Sequence, residues 1–127
     1  MGWVDKLRTS PNMVLFVVSF ALCIEEILYG AVAPLTPMSP AHIKDEHMVS
    51  TLYGAYALGL IIAAPILALI TDRIGRRQPM IVGVALLFVS AVLFLVGSTP
   101  EVVVVSRILQ GAGAACTWTA GLALVAE

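Results

Sequence analysis

Apolar residues run with no formal charge from Met48 to Thr71 and again from Met80 to Pro100. Each run exceeds the roughly 20 residues that a helix needs to cross a hydrocarbon core of about 30 Å. Two further runs are nearly as clean: Val102 to Ala126 holds one charge, Arg107, and Met13 to Ala33 holds two, Glu25 and Glu26. The pattern predicts four membrane-spanning helices, at about 13–33, 48–71, 80–98 and 102–126. Three polar breaks separate them. "LTPMSPAHIKDEHM", with two prolines and mixed charges, reads as an irregular solvated loop. "ITDRIGRRQP" and "STPE" are tight connections.

Composition agrees with that pattern. The 127 residues are 60% hydrophobic and 12% charged, against about 25% charged in a typical soluble domain, and a water-soluble fold of this size could not hide so much apolar surface. The expected fold is an all-α polytopic membrane protein with residues 1–127 in one membrane domain. A removable leader is the alternative for the first run, since Lys6 and Arg8 precede it. Leader cores are about 7 to 15 residues and end at a small-residue cleavage site, whereas this apolar surface resumes after the Glu pair and continues into "YGAVAP".

Charge and chemistry remove several classes of function. The net charge is −1 and no basic stripe is present, which argues against a nucleic-acid partner. Cys23 and Cys116 fall inside expected spans and read as small apolar side chains without a disulfide. His42 and His47 with Asp45 and Glu46 fit no closed metal site, and no nucleophile–base pair, phosphate loop or cofactor motif is present. Neither an enzyme nor a cofactor or metal is therefore expected. Lys and Arg outside the spans set the orientation: Lys6 and Arg8 precede the first helix and Arg73, Arg76 and Arg77 follow the second, while only Lys44 lies on the other face. The N-terminus and the 71–79 loop are expected in the cytoplasm.

The 71–79 loop carries more order than anchoring needs. Asp72 can accept hydrogen bonds from another helix terminus, Gly75 supplies backbone freedom for a very short turn, and the arginines sit at the water boundary, where their forks hold carboxylates or phosphates. "ALITDRIGRR" resembles the signature loop between helices 2 and 3 of the major facilitator superfamily, G-x-L-A-D-R-x-G-R-R. Asp72, Arg73, Gly75, Arg76 and Arg77 match it, and Ala68 stands where the pattern has its first Gly. In the last span "SRILQGAGAACTW" resembles the family's helix-4 motif R-x-x-Q-G-x-G-A-A at Arg107, Gln110, Gly111, Gly113, Ala114 and Ala115. Arg107, Gln110, Gly111, Ala114 and Trp118 recur at spacings of three and four and share one helix face. An arginine in a span should face protein or a water-filled cavity, and "GAGAA" permits close helix approach.

The first helix offers a partner for that arginine. "CIEEILYGAVAPLTP" resembles the helix-1 pattern of the drug and vesicular amine antiporter branch, in which an acidic residue precedes a Pro-x-x-Pro pair. Two adjacent carboxylates point about 100° apart and cannot both look into one cavity. Glu25 shares a stripe with Leu22, Tyr29 and Val32, and Glu26 one with Cys23, Gly30 and Ala33, so Glu25 is the favoured acid, paired with Arg107.

The resemblance implies twelve or fourteen helices in two six-helix halves, of which this chain would supply the first four of the N-terminal half as a fragment or truncated product. It implies proton-coupled antiport or efflux of a small organic, amine-like or drug-like solute by alternating access. Glu25, Glu26, Arg107, Gln110, Tyr29 and Trp118 would serve solute and proton coupling; Asp72, Arg73, Gly75, Arg76 and Arg77 the conformational switch; Gly111, Gly113, Ala114 and Ala115 the helix packing. The expected partners are the lipid bilayer, the solute, protons and the remaining helices. Two alternatives stay open: a self-contained four-helix small multidrug exporter acting as a dimer, and a non-transporting membrane subunit.

Overall fold

The computed structural model describes residues 10–38, 41, 43, 45–75 and 77–126. Four long helices carry the chain: α1 (Pro11–Gly30), α3 (Glu46–Ile74), α4 (Arg77–Val96) and α5 (Pro100–Val125). The four-residue α2 (Val32–Leu35) and a single 3₁₀ turn (Thr36–Met38) follow α1. All four long helices are long and apolar enough to cross a membrane. Among the described residues there is no strand.

Local chemistry sets the ends. α1 and α5 open on an extended Ser10 or Thr99 followed by proline in the first turn, where the missing N–H has no intrahelical partner to lose. α3 places Glu46 in its first turn and Arg73 in its last, each complementing the helix dipole. The first span, expected to 33, breaks at Ala31 instead. Pro34 cannot donate to the Gly30 carbonyl, so the chain restarts as α2, and Thr36 Oγ1 closes the segment with a 2.5 Å bond to the Val32 carbonyl. The other helices start two to three residues before the charge-free runs and end within three residues of the expected positions, because charged residues such as Glu46 and Arg77 continue helical backbone into the interface.

α5 is the hub. It packs against α3, α4 and α1, and twelve of its residues are buried, from Val103 to Gly121. Glycines allow this. A Cβ on Gly111 would collide with the Tyr56 carbonyl of α3 and stand 2.9 Å from the Leu60 nitrogen, and one on Gly59 would collide with the Ile108 carbonyl of α5. On the other flank, a Cβ on Gly83 of α4 would come within 2.6 Å of the Cys116 Cβ, and one on Gly113 within 3.1 Å of the Gly83 carbonyl. Ala114 and Ala115 are buried beside these seats. The helices thus meet backbone to backbone, the contact that replaces a hydrophobic drive between helices in lipid.

The outer faces carry the large apolar side chains. Phe16, Phe20 and Ile27 of α1, Leu69 of α3 and Phe88 and Leu95 of α4 are each 60% or more exposed, which fits contact with acyl chains rather than water. Three buried hydroxyls are satisfied inside their own helices: Ser90 Oγ donates to the Leu87 carbonyl at 2.8 Å, Ser106 to Val103 at 2.6 Å and Thr117 to Gly113 at 2.7 Å. Both cysteines are free, Cys23 exposed and Cys116 buried.

Candidate functional site

Glu25 is fully buried, whereas Glu26 one step round α1 is exposed. The 100° between successive helix positions turns one carboxylate into the bundle and the other away from it. A buried carboxylate needs donors, and Glu25 has two from different helices. The Tyr56 hydroxyl of α3 donates to Oε1 at 2.5 Å, and the Trp118 indole Nε1 of α5 donates to Oε2 at 3.1 Å. The carboxylate therefore ties α1, α3 and α5 together at one level.

An aromatic cluster surrounds it. The Tyr29 ring, one turn beyond Glu25, meets Tyr53 edge-on at 5.1 Å and Tyr56 at a tilt at 4.8 Å. Such offset contacts suit ring quadrupoles. Trp118 remains 37% exposed at the edge of α5, so its indole presents one edge to Glu25 and the rest of its surface outward.

Arg107 and Gln110 are buried next to this cluster. The Arg107 Nη1 donates to the Gln110 Oε1, and its Cζ lies 5.9 Å from the Tyr56 ring centroid and 5.7 Å from that of Phe94, within cation–π range. The expected Glu25–Arg107 contact is not formed. Glu25 spends its oxygens on Tyr56 and Trp118, and Tyr56 stands between the two charges, with its hydroxyl on the acid and its ring on the base. Sequence reasoning passed over Tyr56. The signal that could have found it is its three-residue step from Tyr53 on the face of α3 that also carries Gly59.

The signature loop lies at the other end of the bundle. Gly75 ends α3 at φ +93° and its N–H bonds the Thr71 carbonyl at 3.1 Å, a backbone that L side chains rarely adopt. Asp72, Arg73 and Arg77 are exposed there, and Thr71 is buried with its hydroxyl unpaired. The turn is only two residues long, and Arg76 lies outside the described residues, as do His42, Lys44, Lys6 and Arg8. Among the described residues no group of three His, Cys, Asp or Glu is placed to hold a metal ion.

A bundle of membrane-crossing helices, closed by glycine contacts around a buried carboxylate and a buried arginine, defines a polytopic membrane protein with polar groups held at membrane depth. Comparison with known families places it further: residues 15–127 match the model of the Major Facilitator Superfamily, and the chain belongs to that family. It is 31% identical over 98% of its length to an uncharacterized MFS-type transporter of Schizosaccharomyces pombe. It is 28% identical over 97% of its length to the vesicular acetylcholine transporter of Drosophila melanogaster, and 31% identical over 76% of its length to the synaptic vesicular amine transporter of Mus musculus. The chain spans 29%, 27% and 19% of those relatives, respectively. The family match leaves the small multidrug exporter reading without support.

Proposed function

We propose that this chain forms the first four helices of the N-terminal half of a secondary active transporter that exchanges protons for a small organic solute by alternating access. The solute class is amine-like or drug-like, in keeping with relatives whose names specify acetylcholine and amines. The observation that carries the reading is the fully buried Glu25, held by Tyr56 and Trp118 from two other helices. A buried carboxylate is functional by default in a membrane span. Motion of α1 against α3 and α5 would break the two bonds and let a proton load on one side and leave on the other. Tyr29, Tyr53 and Trp118 offer rings to the apolar body or the positive charge of an amine.

Arg107, donating to Gln110, contributes a positive charge behind Tyr56. Asp72, Arg73, Gly75, Arg76 and Arg77 form the loop at which the two conformations exchange, and Gly111, Gly113, Ala114 and Ala115 keep α5 close enough to its neighbours for the site to form. The N-terminus and the 71–79 loop lie in the cytoplasm, and the protein is a transporter rather than an enzyme. The test is solute uptake driven by a pH gradient in vesicles holding the transport-competent protein that contains these helices. Glu25→Gln abolishes gradient-driven uptake and Glu26→Gln is milder. Normal gradient-driven uptake by Glu25→Gln would refute the proposal.

A further inference from the structure

The Glu25 carboxylate is fully buried, so nothing reaches it until one of the side chains over it moves. Its two donors are held very differently. Tyr56 is fixed on three sides: its hydroxyl donates to Glu25 Oε1 at 2.5 Å, and its ring centroid lies 4.8 Å from that of Tyr29 and 5.9 Å from the Arg107 Cζ. Its carbonyl also sits against Gly111 of α5, where there is no room for a Cβ. Moving Tyr56 off the acid therefore means parting α3 from α5.

Trp118 has no such hold. Among the described residues its indole pairs with no other ring, and its one side-chain hydrogen bond runs from Nε1 to Glu25 Oε2 at 3.1 Å. The residues one turn away on α5 include Ala114, Ala115 and Gly121, which are too small to wall the ring in. The side chain is 37% exposed, while the Glu25 it touches is 0% exposed. Rotation about its own side-chain bonds moves this ring without disturbing a helix, and such rotations are far faster than the relative motion of packed helices.

We propose that Trp118 is the gating residue of the Glu25 site: its indole is a movable cover, latched over the carboxylate by its N–H, and Oε2 becomes available only when the ring swings outward. The cover belongs to this bundle and is read without transport. Its use in transport rests on the exchange reading above. With the latch closed Glu25 neither takes up nor releases a proton, and a solute ammonium opens it, because a charged N–H outcompetes a neutral one for a carboxylate. Phenylalanine at 118 keeps most of the ring and loses the donor, which separates the latch from the bulk of the cover.

The experiment is labelling of the chain, in nanodiscs of zwitterionic lipid, with dicyclohexylcarbodiimide, an apolar reagent that reaches carboxyl groups through the bilayer. Glu26, exposed one position further on, is the internal reference, and tandem mass spectrometry resolves the two sites. Each variant is compared at the low-pH plateau of its own labelling rate, so that differences in protonation do not enter. In the unaltered chain Glu25 labels more slowly than Glu26. Trp118→Phe raises the Glu25:Glu26 ratio about two- to tenfold, the population shift for loss of one neutral hydrogen bond, and Trp118→Ala raises it further. Tyr56→Phe, which keeps the clamped ring, gives a smaller rise than Trp118→Phe. Acrylamide quenching of Trp118 fluorescence in a Trp3→Phe background is a second measure that leaves Trp118 in place: Glu25→Leu removes the acceptor and increases the quenching. An unchanged labelling ratio in a folded Trp118→Phe, a rise in Tyr56→Phe as large as that in Trp118→Phe, or unchanged quenching in Glu25→Leu would overturn the proposal. Normal gradient-driven uptake by Glu25→Gln would defeat the exchange reading alone and leave these results standing.

Discussion

Replacing Gly111 with alanine separates backbone contact from every other source of stability in this bundle, and Gly54 provides the control. Both lie inside long helices, and alanine gains about 1 kcal/mol over glycine in a helix interior through propensity alone. A Cβ at Gly54 meets nothing within 4 Å, so Gly54→Ala should keep that gain. A Cβ at Gly111 would overlap the Tyr56 carbonyl and stand 2.9 Å from the Leu60 nitrogen, and backbone cannot swing aside as a side-chain tip can. α3 and α5 must part, at the ~1–3 kcal/mol typical of overpacking. Tyr56 is the residue displaced, so its 2.5 Å bond to Glu25 weakens too, at up to about 1.5–3 kcal/mol for a bond to a charged group. The propensity gain is common to both variants and cancels, so Gly111→Ala should be less stable than Gly54→Ala by about 1–3 kcal/mol from overpacking alone, and by more where the Tyr56 bond is lost. Reversible unfolding by SDS titration in mixed micelles, followed by circular dichroism and by Trp118 fluorescence in a Trp3→Phe background, measures the difference. A Gly111→Ala chain as stable as Gly54→Ala would refute the close approach of α3 and α5 and the placement of Tyr56 that depends on it.

The remaining predictions address orientation, switch and site. Cysteine or epitope tags at the N-terminus and at 73–77 should be protected from impermeant reagents in intact cells, with a tag at Lys44 accessible; the reverse pattern would invert the topology. In the transport-competent protein, Asp72→Asn and Gly75→Leu should slow transport while sparing insertion and equilibrium solute binding. Gly75→Leu places a bulky L residue at φ +93° and ψ 162°, a region essentially confined to glycine, at a cost of about 1–3 kcal/mol, and loss of insertion alone would mark the loop as an anchor. Tyr56→Phe should cut gradient-driven uptake substantially while leaving the ring contact with Arg107, and uptake equal to the parent's would remove the hydroxyl from the mechanism. Arg107→Lys should keep part of the uptake that Arg107→Ala loses, since it keeps the charge and gives up the fork; equal losses would assign the role to the fork itself.

The four spans, their approximate limits and the tight turn at Gly75 were legible along the chain because each is a local matter. Hydrocarbon thickness fixes the length of an apolar run, and a helix-ending glycine is recognised from its neighbours. That Glu25 rather than Glu26 turns into the bundle was also within reach, since helical periodicity alone puts them on different faces, and the Tyr29 stripe marks the inward one. The break at Ala31 could have been read from Pro34 with its missing N–H. What α5 does with its glycines was not accessible in that way. "GAGAA" predicts close approach, but which neighbour fills each notch depends on how three helices are stacked, and the structure seats Gly111 on Tyr56 and Gly113 on Gly83. The same holds for the site. Glu25 and Arg107 invite pairing as opposite charges in oily helices, yet hydrogen bonds act over about 3 Å, and the tertiary packing spent that short reach on Tyr56 and Trp118. It left Arg107 bonded to Gln110.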